Sequence, residues 1–145
     1  MSCDRSERLI EEGLVILIQS GLGTPPMAPG GWAAELPPNQ ISPDAPMAWT
    51  FRSLSNEDTV VLEGQDGFTS WDVDISCHGA KMSDAITLAR AIQSVLRGSY
   101  AGQLLDSDGI VVQGIFSNGP SVDGFSDADR SYVRTLEYRI QYNQP

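Results

Sequence analysis

The sequence predicts a single α+β domain, covering residues 1–145, with two helices packed on one face of a mainly antiparallel sheet. Two segments repeat apolar residues at intervals of three and four, the spacing of a helix with one buried side. Several other segments alternate apolar and polar residues and are separated by short polar turns, as antiparallel strands are. The predicted order of elements is α-β-β-β-α-β-β, and a chain of 145 residues can bury a core of useful size.

The first helix is predicted from Ser6 to Ser20, with charged and polar residues on the side opposite its apolar stripe. That stripe consists of Leu9, Ile10, Leu14, Leu17 and Ile18. Asp4 or Ser6 can cap the amino end of the helix. Gly21 or Gly23 can end it in a left-handed conformation.

A proline- and glycine-rich arm follows from Leu22 to Pro46, and this composition excludes a helix or an inner strand. Loops of such length in a compact domain usually have a function or act as linkers. Three large apolar side chains give the arm something to bury, namely Trp32, Leu36 and Ile41. The arm therefore packs either on its own domain or on a neighbouring subunit, and the sequence favours neither.

Three strand patterns come next, over residues 47–52, 59–63 and 71–78. Turns are predicted between them at Asn56-Glu57-Asp58 and at Gly64-Gln65-Asp66-Gly67. The third pattern places acidic residues on its polar side. One face of the sheet is therefore expected to meet water.

The second helix is predicted from Ser83 to Leu96, with Gly98 as its stop. Its buried stripe is predicted to contain Ile86, Ala89, Ile92, Val95 and Leu96. Two further strands are predicted from Gly109 to Phe116 and from Ser131 to Tyr142. A polar loop from Ser117 to Arg130 separates them.

Charge and hydropathy exclude several classes of function. The chain has 19 acidic and 9 basic side chains, a formal net charge of -10, so it lacks the basic surface that grips a phosphate backbone. Its longest apolar run, from Leu14 to Ile18, is far shorter than the ~20 residues that span a bilayer. Residues 1–12 lack the features of a signal peptide, so the chain is expected to remain in the cytoplasm. Cys3 and Cys77 are expected to be free thiols.

No catalytic residue, metal site or cofactor is predicted. His78 is the chain's only histidine, and it is predicted to be a surface residue at a strand end, with Cys77 pointing to the opposite face. The segment Leu105-Asp106-Ser107-Asp108-Gly109 lacks the later ligands of a calcium loop. A second acidic group is interpreted as a solvated loop, with metal binding as the alternative; it consists of Asp123, Asp127 and Asp129.

Four features of the layout together resemble a known family. They are an amino-terminal helix, a proline-rich arm that ends in Pro46-Met47-Ala48-Trp49-Thr50-Phe51, a strand from Trp71 to His78 that leads to a helix containing Asp84 to Ile92, and a final strand from Arg134 to Tyr142. This layout, over nearly the whole chain, resembles the tail-terminator or tail-completion proteins of long-tailed bacteriophages. Those proteins belong to the neck that joins tail and head.

The resemblance implies a structural virion protein rather than an enzyme, assembled in the host cytoplasm. Six copies would form a ring on the head-proximal end of the tail tube, stop tube growth and join the tail to the head-side connector or stopper protein. DNA would pass through the lumen without specific binding. Six copies carry a formal charge of about -60, six times -10, which is compatible with that passage.

The resemblance also implies contact residues. Trp32, Leu36 and Ile41 of the arm are candidates for the subunit interface, because large apolar anchors dominate interface energies. Two exposed loops are candidates for contact with the tube or the connector; their residues are Asn56, Asp58, Gln65, Asp66, Asn118, Asp123, Phe125 and Asp127. Two alternatives remain, another neck component such as a stopper or adaptor, and a small acidic domain that binds a ligand or a metal.

Overall fold

The computed structural model describes residues 10–23, 28–33, 36, 40–42, 44–59, 68–97, 111–127 and 129–143. These residues form an α+β fold in which a mostly antiparallel sheet carries two helices. The elements, in chain order, are α1 (Ile10–Gly21), β1 (Gly30–Ala33), β2 (Met47–Thr59), β3 (Phe68–Gly79), α2 (Met82–Arg97), β4 (Val111–Ser117), β5 (Val122–Ser126) and β6 (Ser131–Asn143). The predicted fold class and order of elements are confirmed, while β1, which lies in the predicted arm, and β5 were not predicted as strands.

The sheet has the order β1-β2-β3-β6-β4, and β5 pairs with β6. Every pairing is antiparallel except that of β1 with β2, which is parallel. β5 and β4 lie end to end along the same edge of β6, because β5 pairs with residues 131–135 and β4 with residues 138–143. The sheet therefore ends in β1 and β2 on one side, and in β4 and β5 on the other.

The core lies between the helices and one face of the sheet, which we call the helix-side face. Alternate residues of the three long strands point to it, as in the row formed by Phe51, Ile75 and Leu136 across β2, β3 and β6. Trp49 and Trp71 are fully buried there. Burial of a tryptophan removes about 200 Å² from water, a hydrophobic gain on the order of 5 kcal/mol before entropy is subtracted.

Both helices bury one stripe against this face, as their apolar spacing predicts. In α1, Leu14 and Ile18 are fully buried, and Gly23 adopts a φ of 111° just beyond the helix end, as a left-handed stop requires. In α2 the buried residues are Ala85, Leu88, Ala89, Ile92 and Leu96. The predicted stripe was wrong at Ile86 and Val95, which are only half-buried. The face of the helix that packs on the sheet is centred on Ala85, Leu88 and Ile92, and it leaves those two residues at its border.

The described part of the arm contains an edge strand rather than an inner one, in agreement with its composition. β1 is four residues long and pairs with residues 49–51 of β2. A Cβ added at Gly30 would collide with the Trp49 side chain, so only glycine permits this close approach. Leu36 is 7% exposed but lies outside the helix-side core cluster.

Two local predictions were wrong. Asn56 and Asp58 were assigned to a turn, but β2 continues through them in register with Trp71 and Thr69 of β3. The segment from Ser117 to Arg130 was assigned to a loop, but it contains β5, paired with the start of β6. The predicted turn at Gly64-Gln65-Asp66-Gly67, and most of the predicted strand at 59–63, lie outside the described residues.

Neither α1 nor α2 has the length and hydropathy that a bilayer crossing requires.

Candidate functional site

Exposed apolar side chains collect along the edge of the sheet formed by β4 and β5, which we call the β4–β5 margin. In the part of the chain that the structure describes, six large hydrophobic residues are exposed, namely Ile16, Leu54, Phe116, Val122, Phe125 and Tyr132. Four of these lie on β4, on β5 or on the adjoining end of β6. Val122 is the most exposed, at 64%. This concentration makes the β4–β5 margin the candidate interaction surface of the described chain.

The apolar side chains of the margin point to both faces of the sheet. Phe125 pairs with Tyr132 on the helix-side face, and the two rings meet edge to face with centroids 5.0 Å apart. Val122 pairs with Thr135, and Phe116 with Arg139, on the opposite face, which we call the far face. A partner that lies flat on one face would cover only half of this apolar surface.

An ion pair fixes the base of the β5–β6 hairpin. Arg134 Nε donates to Asp123 Oδ1 at 2.7 Å, and Nη2 donates to Asp123 Oδ2 at 2.9 Å. These hydrogen bonds lower the pKa of Asp123 and raise that of Arg134. Asp123 and Arg134 are cross-strand partners, so their bidentate contact holds β5 in register with β6. The contact also neutralises the only charge within β5.

The far face holds a buried polar row at the opposite end of the hairpin. His78 Nε2 lies 3.2 Å from Thr50 Oγ1, and His78 Nδ1 lies 3.1 Å from Ser131 Oγ, so the ring bridges β2, β3 and β6. The sequence-based assignment of His78 to the surface was wrong, since it is 6% exposed. Burial lowers the pKa of His78, and the nearby Asp129 carboxylate opposes that shift.

This polar row contains hydroxyl groups beside a histidine, as the active site of a hydrolase does, but solvent and substrate do not reach them. Ser131 is 0% exposed and Thr50 is 3% exposed, so no substrate reaches either hydroxyl. Both ring nitrogens of His78 are occupied by these hydroxyls. The arrangement holds three strands together, and we assign it a structural role.

The acidic residues of the hairpin do not form a ligand cluster. Asp123 is engaged by Arg134, while Asp129 Oδ2 accepts a hydrogen bond from Ser126 Oγ at 3.2 Å. Asp127 is exposed in the turn between β5 and β6. Across the described ranges, no three potential ligands converge on one point.

The three predicted subunit-contact residues differ in how much surface they retain. Trp32 lies in β1 and is half-buried, and Ile41 is also half-buried. Leu36 is 7% exposed within a single chain, so little of its side chain is left for a neighbour. Their role in a subunit interface stays a prediction.

The predicted contact residues of the two loops fall in three settings. Asn56 and Asp58 belong to β2, whereas Gln65 and Asp66 lie outside the described residues. Asn118 follows β4, where its backbone N–H donates to the Glu137 carbonyl at 2.8 Å. Asp123 and Phe125 both lie in β5, and Asp127 is in the turn that follows. Only the last three are brought together by the structure, on the β4–β5 margin.

Sequence reasoning missed Phe116, Val122 and Tyr132. One signal for Phe116 was present, because neighbours in a strand point to opposite faces and Ile115 already fills the buried position. Ile115 pairs with the fully buried Ile140, which leaves Phe116 on the far face. No local signal marks Val122, since its exposure depends on the pairing of β5 with β6.

A small cleft lies beside the last turn of α2. It has a volume of about 180 Å³ and is lined by Gln93, Leu96, Arg97, Ile115, Ser117 and Tyr138. Sites for cofactors and drug-sized ligands usually measure about 300 to 1,000 Å³. The cleft is therefore too small for a nucleotide-sized cofactor.

Comparison with known proteins gives a likeness of fold. No protein-family model matches the sequence, and no curated protein matches it. Among solved structures, the chain is similar to one from the virion of a native gene transfer agent particle, with a TM-score of 0.52 and 16% sequence identity. The match covers 86% of this chain and 83% of that chain. At this level of identity the likeness concerns the fold.

Proposed function

We propose that the protein is a structural component of a phage-like virion, where six copies form a ring at the head-proximal end of the tail tube. The ring ends tube growth and joins the tail to the head-side connector while DNA passes through its lumen. The observation that carries this proposal is the likeness of fold to a virion chain over 86% of this chain's length. The layout of elements, which resembles that of tail-terminator proteins, supports the more specific role.

The surface of the molecule is compatible with assembly. A ring of identical subunits needs two different surfaces that meet head to tail and close. The exposed apolar residues of the β4–β5 margin supply one surface of suitable chemistry. Exposed apolar side chains of this kind favour contact with another protein.

The net charge supports passage of DNA. The chain carries -10, and a ring of six carries about -60, so the ring as a whole repels a phosphate backbone. A lumen that does not bind phosphates lets DNA move through without the counterion release that drives binding. An acidic ring therefore suits a channel through which DNA passes, and it does not suit a ring that holds DNA tightly.

Tube capping tests the proposal directly. Tail tubes from a phage that encodes this protein are incubated with the purified chain, and tube length and end structure are followed by electron microscopy. We expect six copies to bind one end of each tube and to stop its elongation by added tube protein. Binding to the head-side connector without binding to tubes would indicate a stopper or adaptor instead, and binding to neither would refute a neck role.

A further inference from the structure

We propose that the β4–β5 margin of one copy pairs edge to edge with the β1–β2 margin of a second copy, so that the sheet continues from subunit to subunit. The β1–β2 margin consists of β1 and of residues 52–54 of β2, which extend beyond the stretch that β1 covers. This inference rests on the proposed ring and names the surfaces that build it.

In the part of the chain that the structure describes, no further strand pairs with either margin of the sheet, and the Gly30 carbonyl of β1 accepts a hydrogen bond from Gln19 Nε2 at 3.3 Å. Within the described residues, β5 pairs only with β6, and β1 pairs only with β2. A free edge presents unpaired N–H and C=O groups and acts as a template for another strand unless charge, proline or a covering element blocks it. β1 contains no charged residue, and the single charge of β5 is neutralised by Arg134.

The apolar surface of the chain is distributed as this pairing requires. Of the six exposed large hydrophobic residues described, four lie on the β4–β5 margin, and Leu54 lies on the β1–β2 margin. Leu54 is the extra residue of a bulge in β2 and is 43% exposed. Apolar side chains on both faces of the β4–β5 margin fit a partner that extends the sheet, since such a partner covers both faces at once.

Charge complementarity favours a second copy joined head to tail. Arg52, on the β1–β2 margin, has a side chain that is 66% exposed, and its contact with Asp74 is 3.4 Å long. Asp127 is exposed beside β5 on the other margin. Pairing of β5 with β5 would instead bring the acidic hairpins of two copies together. A contact between two different margins is heterologous, as a ring requires.

The far face above β5 is open, since a Cβ added at Gly124 would meet no atom within 4 Å. β5 and β2 are separated by β6 and β3, which is three strand spacings or about 14 Å. A disulfide needs Cα atoms within about 7 Å, so cysteines placed on these two strands can join only different copies.

Cysteine pairing gives the first test. In a Cys3→Ser background, Leu54→Cys is combined in turn with Val122→Cys, Gly124→Cys and Ser126→Cys, which makes knowledge of the register unnecessary. Cys77 is fully buried and is kept. We expect at least one pair to give a ladder of disulfide-linked multimers on oxidation, while each single variant stays free of a ladder.

Matched substitutions give the second test, measured by native mass spectrometry over a concentration series. We expect Phe125→Glu and Leu54→Glu to weaken multimer formation by about tenfold or more, as loss of an interface anchor does. Ile16→Glu is the matched control, because it removes an equally exposed apolar residue from α1 and adds the same charge. Circular dichroism checks that each variant is folded.

The outcomes separate this inference from the proposed function. Hexamers that form without a ladder, and that tolerate Phe125→Glu, would overturn the edge pairing and leave the ring intact. Dimers linked through Gly124→Cys alone would show that β5 pairs with β5 and would also overturn it. A wild-type chain that stays monomeric and unlinked refutes edge pairing in solution, and tube capping then decides the neck role separately.

Discussion

Replacement of His78 by leucine measures how much the buried polar row stabilises the fold. The ring nitrogens lie 3.2 Å from Thr50 Oγ1 and 3.1 Å from Ser131 Oγ, and leucine leaves both hydroxyls buried without these partners. Each buried hydroxyl without a partner costs about 1 to 3 kcal/mol, and the apolar side chain recovers part of that loss. We expect His78→Leu to lower the free energy of unfolding by about 2 to 4 kcal/mol near neutral pH.

The same histidine gives the wild-type chain a pH dependence that the variant lacks. Burial lowers the pKa of His78 below its ordinary value of 6.5, against the opposing effect of Asp129. As the pH falls below 6.5, the unfolded chain binds a proton at His78 more readily than the folded chain does. Stability is therefore fully present above that pH and is lost as the pH falls toward the folded pKa, by at most about 1.4 kcal/mol per pH unit.

Urea unfolding followed by circular dichroism measures both effects. The wild type and His78→Leu are compared at several pH values from about 7.5 to 5.5, a range in which carboxylates stay ionised. Because the chain has one histidine, a difference in slope between the two proteins belongs to His78. A wild-type stability that is flat over this range, or an equal slope in both proteins, would refute the reasoning.

Three further predictions concern the core, a strained turn and a buried thiol. Leu88→Ala should lower the free energy of unfolding by about 2 to 5 kcal/mol, and Ile86→Ala, at a half-buried position of the same helix, should lower it by less. Equal losses in urea unfolding would contradict the assignment of Leu88 to the buried face of α2. Arg130 has a φ of 53°, so Arg130→Gly should raise the melting temperature, with a gain of up to about 1 kcal/mol. Burial raises the pKa of the Cys77 thiol, so in a Cys3→Ser background Ellman's reagent should react only after unfolding, and fast reaction of the native chain would contradict this.

The helices are the elements that the sequence specifies most directly. α2 was predicted from Ser83 to Leu96 and extends from Met82 to Arg97. Its apolar period is regular, Asp84 occupies its first turn and Arg97 its last, so capping charge and periodicity indicate the same bounds. Agreement of this kind arises because a helix satisfies its hydrogen bonds within one segment.

The strand errors arise where cross-strand pairing overrides the composition of a segment. The residues Asn56-Glu57-Asp58 favour a turn, yet β2 continues through them because β3 offers a complete set of cross-strand partners. β5 contains Gly124 and lies in a polar segment, yet the hairpin with β6 and the bidentate contact of Asp123 with Arg134 hold it extended. The partner strands β3 and β6 were themselves predicted, but the composition of residues 56–58 and 122–126 does not show that they pair with those strands.

The residues of the candidate site are brought together by the order of the strands in the sheet, which is harder to predict from the sequence than the strands themselves. Phe125 and Asp123 were selected from the sequence as contact residues because they were expected in an exposed loop, but their setting is an edge strand. Val122 and Phe116 come onto the same margin only because β5 and β4 both pair with β6, end to end. The pairing of both β4 and β5 with β6 is a relation between separate segments, and the periodicity of one segment does not reveal it.

Acidic charge and short edge strands both oppose uncontrolled polymerisation through the two margins. An unprotected edge is an aggregation hazard in proportion to its length and flatness. β5 has five residues and β1 has four, and β2 is bulged at Leu54, so each margin is interrupted and no long, flat strand is offered as a template. A charge of -10 on every copy adds repulsion that grows with each subunit, and only a specific contact overcomes it.

Under the proposed edge pairing, raised ionic strength should therefore favour association, because it screens this repulsion more than it weakens apolar contacts. Native mass spectrometry after incubation at low and high salt checks this, and multimers that dissociate as salt rises would show that ion pairs, rather than strand edges, hold the copies together.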